Sequence, residues 1–255
     1  MKTKACPKIS VLLATNSIDD YLKQAISSII QQTFSDIELI IVTNGTDASK
    51  IAEYIRAEFS DDRITVIETP IGQLAHALNL ALMWAKGEYI ARMDADDIAT
   101  PNRLEQQLDF LVRNDLDLVG CDLILIDDCG REIGTRVYPK GAAIKRRLPF
   151  SNPFAHNTIL VKKEVLIRAR GYNAGFNTED YDLWLRLGRE RVRWDNMPDL
   201  LVRYRIHLNS SQRRLLGYAE ATGLAMREFL LNRSLTNFSA FAIHFIKTFI
   251  RAKRK

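Results

Sequence analysis

The sequence lacks the marks of several large protein classes. Only three of its 255 residues are cysteine, at positions 6, 121 and 129, and their odd number and irregular spacing argue against a disulfide framework and a cysteine metal site. Neither G-x-G-x-x-G nor G-x-x-x-x-G-K-[ST] occurs, so the fingerprints of dinucleotide-binding oxidoreductases and of P-loop enzymes are missing. We therefore expect a globular protein of a reducing compartment.

Long apolar runs are missing as well. The apolar residues 9–14 are too few for a secretory signal, and the apolar stretch near the C-terminus is too short to span a bilayer, with His244 and Lys247 inside it. The net charge of +5 resides in the segment from residue 212 onward, which has nine lysines or arginines and two acids. Because the rest of the chain is slightly acidic, we expect no nucleic-acid partner.

The sequence does contain a regular alternation of strand and helix patterns. Apolar runs at residues 9–15, 38–42, 64–67 and 89–93 predict strands, and helical apolar spacing follows each of the first three. This alternation predicts an α/β fold with a mostly parallel central sheet flanked by helices. Further strands are predicted at residues 118–120, 123–126, 132–137, 159–161 and 200–207.

The fourth predicted strand leads into a cluster of acids. Asp94, Asp96 and Asp97 fall within four residues, and carboxylates so close together repel one another unless a cation lies among them. An EF-hand loop is excluded, because alanine stands where that loop needs glycine. The alternative to a metal site is a set of solvated acids before a helix, since Thr100 and Pro101 predict a helix N-terminus.

The wider segment I-A-R-M-D-A-D-D-I-A-T-P-N-R-L-E-Q-Q, residues 90–107, resembles the metal-binding segment of family 2 glycosyltransferases, inverting enzymes of the GT-A fold that use nucleotide sugars. The opening I-S-V-L-L-A-T and the later D-D-Y-L-K-Q-A-I-S-S-I-I-Q-Q-T-F-S-D-I-E-L-I-I-V are similar to their first strand, first helix and second strand. The resemblance implies a UDP-sugar donor, a saccharide acceptor and a Mn²⁺ or Mg²⁺ cofactor.

The same resemblance implies roles for individual residues. Asp180, in E-D-Y-D-L-W-L-R-L, takes the place of the catalytic base, although these acids are also typical of a helix start capped by Thr178. A structural role likewise remains open for both histidines named below. The residues implied in nucleotide-sugar binding are Ala14, Asn16, Thr43, Asn79, Arg92, Asp94, Ala95, Asp96 and Arg205. Those implied in metal binding are Asp94, Asp96 and His207, and those implied in acceptor binding are His156, Glu179 and Trp184.

Two departures from the family pattern keep other hypotheses open. Asn16 stands where the family usually has an aromatic residue, and Thr43 and Asn44 stand where it usually has two aspartates, so any contact with a base edge would be made by neutral groups. One alternative is a catalytically silent saccharide- or membrane-binding partner subunit. Another is a sugar-phosphate nucleotidyltransferase, which needs a basic glycine loop that residues 14–19 lack.

The domain prediction separates a GT-A catalytic domain from a basic helical tail. The catalytic domain is expected at residues 1–210, with a nucleotide-sugar half at 1–100 and an acceptor half at 101–210, and the tail at 211–255. The tail's aromatic apolar face and basic end fit a helix lying on an anionic membrane surface or, alternatively, packed on the protein itself or a second subunit. We expect a peripheral protein of the cytoplasmic membrane face that acts on a polyprenyl-diphosphate-linked saccharide in O-antigen or capsule synthesis. A homo-oligomer is one option for its assembly.

Overall fold

The computed structural model describes residues 6–173, 177–206 and 215–252. The strands are β1 (Ile9–Thr15), β2 (Ile37–Asn44), β3 (Ile64–Thr69), β4 (Tyr89–Met93), β5 (Ile98–Ala99), β6 (Leu118–Ile126), β7 (Glu132–Arg136), β8 (Leu160–Lys162) and β9 (Trp194–Arg205). The helices are α1 (Asp20–Ile30), α2 (Ala48–Glu58), α3 (Leu74–Trp84), α4 (Arg103–Arg113), α5 (Ala142–Arg147), α6 (Lys163–Arg168), α7 (Glu179–Gly188), α8 (Leu215–Leu231) and α9 (Leu235–Ala252), with a 3₁₀ turn at His156–Thr158.

One sheet runs through the protein in the order β3-β2-β1-β4-β8-β6-β9-β5, and β7 pairs with β6. The first four strands are parallel, as their uninterrupted apolar sequences predicted. Strand β8 runs antiparallel between β4 and β6, and β9 runs parallel to β6. The predicted α/β fold with a mostly parallel sheet is therefore confirmed.

Two apolar cores lie on the two faces of this sheet. Val11 and Leu13 of β1 belong to the core that also holds residues of α1, α2 and α4, whereas Leu12 belongs to the core under α3 and α7. Neighbouring strand residues point to opposite faces, so β1 contributes to both cores. Burial of each such leucine or isoleucine side chain stabilises the folded state by about 1.5–3 kcal/mol. Since one sheet spans both halves, the division at residue 100 stays a prediction.

The predicted helix start at Thr100 is wrong. The backbone N–H of Thr100 donates to the carbonyl of Leu201 over 2.9 Å, and its hydroxyl donates to the same oxygen over 3.2 Å. Thr100 thus extends the pairing of β5 with β9, and α4 begins only at Arg103. The reason is a contact with a strand about one hundred residues later, which helix-capping patterns do not contain.

A second difference between the predicted and the observed strands occurs at Asp122. Two strands were predicted at 118–120 and 123–126, but β6 continues through both. The carboxylate of Asp122 is buried and accepts hydrogen bonds from the backbone of Tyr138 and from Lys140 Nζ, each at 2.8 Å. A buried carboxylate with these partners does not interrupt a strand.

The tail is helical, as predicted, and its helices α8 and α9 form a hairpin. One side of this hairpin packs against α7. Arg227 of α8 donates to Asp182 over 2.5 Å, and the rings of His244 and Tyr181 lie 5.8 Å apart. The opposite side of α9 leaves large apolar side chains exposed, among them Phe245. In the parts of the chain that the structure describes, no helix has the combined length and apolarity needed to cross a bilayer.

Candidate active site

The carboxylate loop lies where the parallel part of the sheet ends. Strand β4 pairs with β1, and the loop begins directly after Met93, beside the carboxyl ends of β1 and β2, where open α/β sheets bind ligands. Oxygen atoms of Asp94, Asp96 and Asp97 lie within 4.8 Å of one another. This donor set fits a hard divalent cation, because Mg²⁺ and Mn²⁺ prefer carboxylate oxygens.

Asp97 differs from the other two acids because it is fully buried. It accepts a hydrogen bond from the backbone N–H of Arg205 over 2.8 Å and another from the side-chain amide of Asn157. Burial, and then the charges of Asp94 and Asp96, raise the pKa of Asp97 well above its usual value. Asp97 therefore anchors the loop, and the partly exposed Asp94 and Asp96 are the residues that would hold the cation.

Three arginines are fully buried around these acids, namely Arg92, Arg103 and Arg205. Arg103 donates from Nη2 to the carbonyl of Arg92 over 2.8 Å and from Nε to Gln107 over 3.0 Å. Burial lowers the pKa of Arg103 to about 10, so its guanidinium stays charged at neutral pH. Buried cations this close to the loop offset the repulsion between its carboxylates.

Arg205 supports the loop from the end of β9. Its Nε donates to the carbonyl of Asp96 over 2.9 Å, its Nη1 to the carbonyls of Asp127 and Asp128, and its Nη2 to Gln24 over 3.1 Å. The guanidinium also lies 4.1 Å from the centre of the Tyr21 ring. With these bonds Arg205 is committed to holding the loop, so its expected contact with the donor stays a prediction.

Arg92 lies between the carboxylate loop and the start of α7. Its Nη2 forms an ion pair with Asp94 at 2.6 Å, while Nε and Nη1 are buried without a hydrogen-bond partner among the described residues. Burial alone lowers the pKa of this guanidinium, but the charge and hydrogen bond of Asp94, with a smaller contribution from the charge of Glu179, outweigh it, so the pKa is raised. The buried guanidinium of Arg92 is thus close enough to interact with Asp94 of the carboxylate loop and with Glu179 at the start of α7.

Asp180 lies in the first turn of α7. Its Oδ2 accepts from the side-chain amide of Asn152 over 2.7 Å, and its Oδ1 accepts from the backbone of Tyr181 over 2.6 Å. Burial, and then the charge of Glu179, raise the pKa of Asp180 to about 7. A carboxylate with such a pKa is suited to accept a proton near neutral pH.

The helix that carries Asp180 is held by the tail. Glu220 of α8 accepts hydrogen bonds from the backbone of Asn177 and from the hydroxyl of Thr178, both at 3.0 Å. Thr178 stands at the cap position, as predicted, but its side chain donates to Glu220 and makes no capping bond. Burial, with smaller contributions from Asp94 and Glu220, raises the pKa of Glu179.

The predicted acceptor residues His156 and Trp184 lie behind this site. His156 Nε2 is 3.0 Å from the hydroxyl of Tyr172, and burial and the charge of Arg92 lower its pKa well below the usual value. Trp184 is fully buried, with its ring 5.3 Å from Phe154 and 6.1 Å from His156. In this structure Trp184 is a core residue, so its contact with the acceptor stays a prediction that its burial does not favour.

Asn79 holds the turn that follows α6. Its side chain donates to the carbonyl of Tyr172 over 2.7 Å and accepts from the backbone N–H of Tyr172 over 2.9 Å. Gly171 has a positive φ of 64°, and a Cβ there would lie 2.3 Å from Asn79 Oδ1, so the turn requires glycine. The expected contact of Asn79 with the donor stays a prediction.

The residues expected to contact the base lie at the ends of β1 and β2. Asn16 is exposed, whereas Thr43 is fully buried and its hydroxyl is 3.4 Å from the carbonyl of Ile67. Asn44 donates to the carbonyl of Thr15 over 2.9 Å, so it ties the two strands together. The roles of these residues, and those of the partly buried Ala14 and Ala95, stay predictions, and His207 lies outside the described residues.

Four supporting residues were missed by the sequence analysis: Arg103, Asn152, Asn157 and Glu220. Arg103 stands at a fixed place in the motif that resembled the metal segment, and Asn152 and Asn157 lie in the same short segment as His156, so these three carried a positional signal. Glu220 reaches the site from the tail, and nothing in its own neighbourhood marks it.

Comparison with known proteins identifies the family. Residues 10–173 match the family model described as Glycosyl transferase family 2. The chain is 43% identical over 254 residues to the O-antigen biosynthesis glycosyltransferase WbnJ of Escherichia coli, which covers 98% of this chain and 100% of that protein. It is 29% identical over 222 residues to an Escherichia coli UDP-Gal:alpha-D-GlcNAc-diphosphoundecaprenol beta-1,3-galactosyltransferase, covering 82% of this chain and 78% of that one.

Solved structures agree on the fold. TarS of S. aureus in complex with UDP-GlcNAc superimposes with a TM-score of 0.67 at 18% identity, covering 87% of this chain and 66% of that chain. The mannosyltransferase PcManGT of Pyrobaculum calidifontis, in complex with GDP-Man and Mn²⁺, gives 0.64 at 18% identity, covering 95% and 74%. The fold is therefore GT-A, as the resemblance implied. With a family model matched over most of its length and a relative 43% identical from end to end, the chain belongs to glycosyltransferase family 2.

Proposed function

We propose that this glycosyltransferase moves a hexose from a UDP-sugar to a saccharide acceptor with inversion at the sugar carbon, and that the acceptor is carried on a polyprenyl diphosphate. The product would serve the assembly of a surface polysaccharide such as O-antigen or capsule. The observation that carries the proposal is the placement of Arg92, whose buried guanidinium pairs with Asp94 and also acts on Glu179 and Asp180.

The donor side of the proposed site is the carboxylate loop. Asp94 and Asp96 would hold Mn²⁺ or Mg²⁺, and such a cation neutralises the charge that develops on a leaving diphosphate. The carbonyl of Asp96 is fixed by Arg205 and the side chain of Asp97 by Asn157, so the loop is shaped before a ligand arrives. UDP as the nucleotide is supported by two similar proteins, of which one was solved in complex with UDP-GlcNAc and one is named for the use of UDP-Gal.

The acceptor side is the start of α7. Asp180 would accept the proton of the attacking hydroxyl, with Asn152 holding one of its oxygens. Because its pKa is about 7, the carboxylate is populated at neutral pH and is a stronger base than an ordinary aspartate. Direct attack by that hydroxyl on the sugar carbon, opposite the leaving diphosphate, gives inversion.

The lipid-linked acceptor and the membrane face are supported from two sides. One relative is named for a diphosphoundecaprenol acceptor, and another for O-antigen biosynthesis. In addition, α9 leaves Phe238, Phe245 and Phe249 about half exposed, and the chain ends in R-A-K-R-K. An apolar helix face next to basic residues suits the surface of an anionic membrane.

A screen of UDP- and GDP-sugars tests the proposal. Purified protein is incubated with each donor and Mn²⁺, Mg²⁺ or EDTA, and nucleotide diphosphate release is measured with and without glycosyl-diphosphoryl-alkyl acceptors. We expect one UDP-sugar to be consumed only with the cation and faster with an acceptor. Metal-dependent UDP binding without turnover of any donor would instead favour the silent binding subunit, and formation of UTP and a sugar phosphate on addition of pyrophosphate would favour a nucleotidyltransferase.

A further inference from the structure

A pocket of about 270 Å³ lies beside Asp180. Its walls come from residues 150–152, from the start of α7 and from the α8–α9 hairpin. The hairpin contributes Gly217, Tyr218, Ala221, His244 and Lys247. These residues lie beyond the segment 10–173 that matches the family model, so this wall belongs to the part of the chain that the family pattern does not describe.

We propose that this pocket receives the terminal sugar ring of the acceptor, and that Lys247 at its rim binds a phosphate group attached to that sugar. The inference rests on the proposed function, because it takes Asp180 to be the base. It adds to that function a pocket wall formed by the α8–α9 hairpin. It also gives Lys247 the role of distinguishing a phosphate-linked acceptor from a neutral one.

The lining has the chemistry that a sugar ring needs. Phe150 and Tyr218 supply aromatic rings for the apolar C–H face of a sugar, and the amides of Asn152 and Asn177 supply donors and acceptors for its hydroxyls. Ligand pockets usually measure about 300–1,000 Å³, so this one, near the lower limit, suits a single ring. A ring seated there lies next to the carboxylate that would take the proton of its hydroxyl.

Charge singles out Lys247 within this lining. Of the described residues that line the pocket, Asp180 is acidic, and Lys247 and His244 are basic. Burial, and then the charge of Lys247, lower the pKa of His244, so its imidazole is neutral at neutral pH. His244 is buried, with Nε2 3.3 Å from the carbonyl of Pro149, so it fixes α9 on the protein while Lys247 remains exposed. A lysine in this position binds phosphate as a point charge.

The surroundings of Lys247 match the order of groups in a glycolipid. On one side is the pocket, and on the same face of α9, one turn before and one turn after the lysine, Ile243 and Ile250 are exposed by 39% and 52%. A glycolipid acceptor would place its sugar in the pocket, its phosphate at Lys247 and its alkyl chain along the apolar residues of α9. A neutral glycoside would use the pocket but gain nothing from the lysine.

The test compares variants on acceptors that share a sugar and differ in linkage. Each sugar is offered linked to an undecyl chain through a diphosphate or directly, and kinetic constants are measured for acceptor and donor. We expect Lys247→Met to raise the KM of the diphosphate-linked acceptor about tenfold and that of the neutral glycoside less than twofold. The control Lys50→Met removes an equal charge from the exposed side of α2 and should change neither.

A second pair of variants tests the pocket itself. Ala221→Leu adds bulk to the pocket and should raise the KM of both acceptors at least tenfold, with UDP binding unchanged. Gly223→Leu adds one carbon more than Ala221→Leu to the same helix, where a Cβ meets nothing within 4 Å, and should have no effect. If the unfolding temperature and UDP binding show that Ala221→Leu is misfolded, Ala221→Val replaces it.

The outcomes separate the two proposals. Transfer that neither Ala221→Leu nor Lys247→Met alters would overturn the inference and leave the proposed function standing. Equal loss on both linkages in Lys247→Met would overturn the phosphate contact. Absence of transfer to every acceptor overturns the proposed function, and the inference falls with it.

Discussion

The guanidinium of Arg205 donates from Nε to the main-chain carbonyl of Asp96 over 2.9 Å, although 109 positions separate the two residues. The last strand of the sheet thereby sets the conformation of the loop that would hold the cation. Residues that orient metal ligands in this way typically change metal affinity 10- to 100-fold when they are replaced.

Arg205→Lys should therefore weaken Mn²⁺-dependent UDP binding by about 10- to 100-fold, because lysine cannot reach the carbonyls of Asp96 and Asp127 with the same set of bonds. Titration calorimetry with UDP at several Mn²⁺ concentrations measures the effect. The matched control is Arg203→Lys on the same strand, where the arginine forms a surface ion pair with Glu132. Equal behaviour of the two variants would show that Arg205 has no special role at the loop.

Asp180→Asn should lower transfer by about 10²- to 10⁴-fold, since an amide cannot accept the hydroxyl proton. The same change should stabilise the protein at alkaline pH. The pKa of this carboxyl rises from 3.8 to about 7 on folding, so its contribution is full at low pH and is lost as the pH increases towards 7. We expect an unfolding temperature at pH 8 that is higher than wild type by at least about 2–4 °C, and a smaller gain at pH 4. An active Asp180→Asn enzyme would contradict the assignment of the base.

The pH profile of kcat/KM should rise to a plateau with a midpoint near 7, where the carboxyl of Asp180 ionises. Burial is the larger cause of this raised pKa and the charge of Glu179 is the second, so Glu179→Gln should move the midpoint downward without returning it to 3.8. Initial rates between pH 5 and 9 give the profile. Glu190→Gln, at the other end of α7, removes a carboxylate of the surface pair with Arg168 and should leave the midpoint in place.

Trp184 should behave as a core residue. Trp184→Ala is expected to lower the free energy of unfolding by about 3–5 kcal/mol, because the indole packs against Phe154 and is fully buried. Denaturant titration measures the loss, and Trp84→Ala, at a position 55% exposed, should cost under about 0.5 kcal/mol. A change in acceptor KM in the milder Trp184→Phe, with stability preserved, would argue for direct contact with the acceptor.

The apolar side of α9 should bind anionic vesicles. Replacing Phe245 and Phe249 together with serine removes two exposed aromatic rings and should reduce partitioning onto phosphatidylglycerol vesicles at least tenfold. Co-sedimentation measures the bound fraction. Val137→Ser, at the residue just after β7, where valine is 71% exposed, is the control for the loss of surface apolarity elsewhere. If both proteins sediment like wild type, the membrane contact does not run through α9.

The sequence was most informative where local pattern and burial coincide. The apolar run of β1 and the acids after β4 predicted the sheet and the candidate metal loop, because each signal is complete within a few residues. It was least informative where a distant partner decides the outcome. Thr100 is turned from helix cap to strand partner by Leu201, and Asp122 is kept inside a strand by Lys140.

The same limit applies to the candidate site. Asp94, Asp96 and Asp180 could be predicted as site residues because they belong to recognisable segments. The different task of Asp97 could not be predicted, since it depends on Asn157 and on the backbone of Arg205, and neither residue lies near it in the chain.

The bonds from Asn177 and Thr178 to Glu220 have a practical meaning for protein engineering. A graft of residues 10–173 alone would leave out both the helix bearing Asp180 and the carboxylate that fastens its first turn. Chimeras meant to exchange acceptor preference between relatives should therefore move α7 and the α8–α9 hairpin together, as a single cassette.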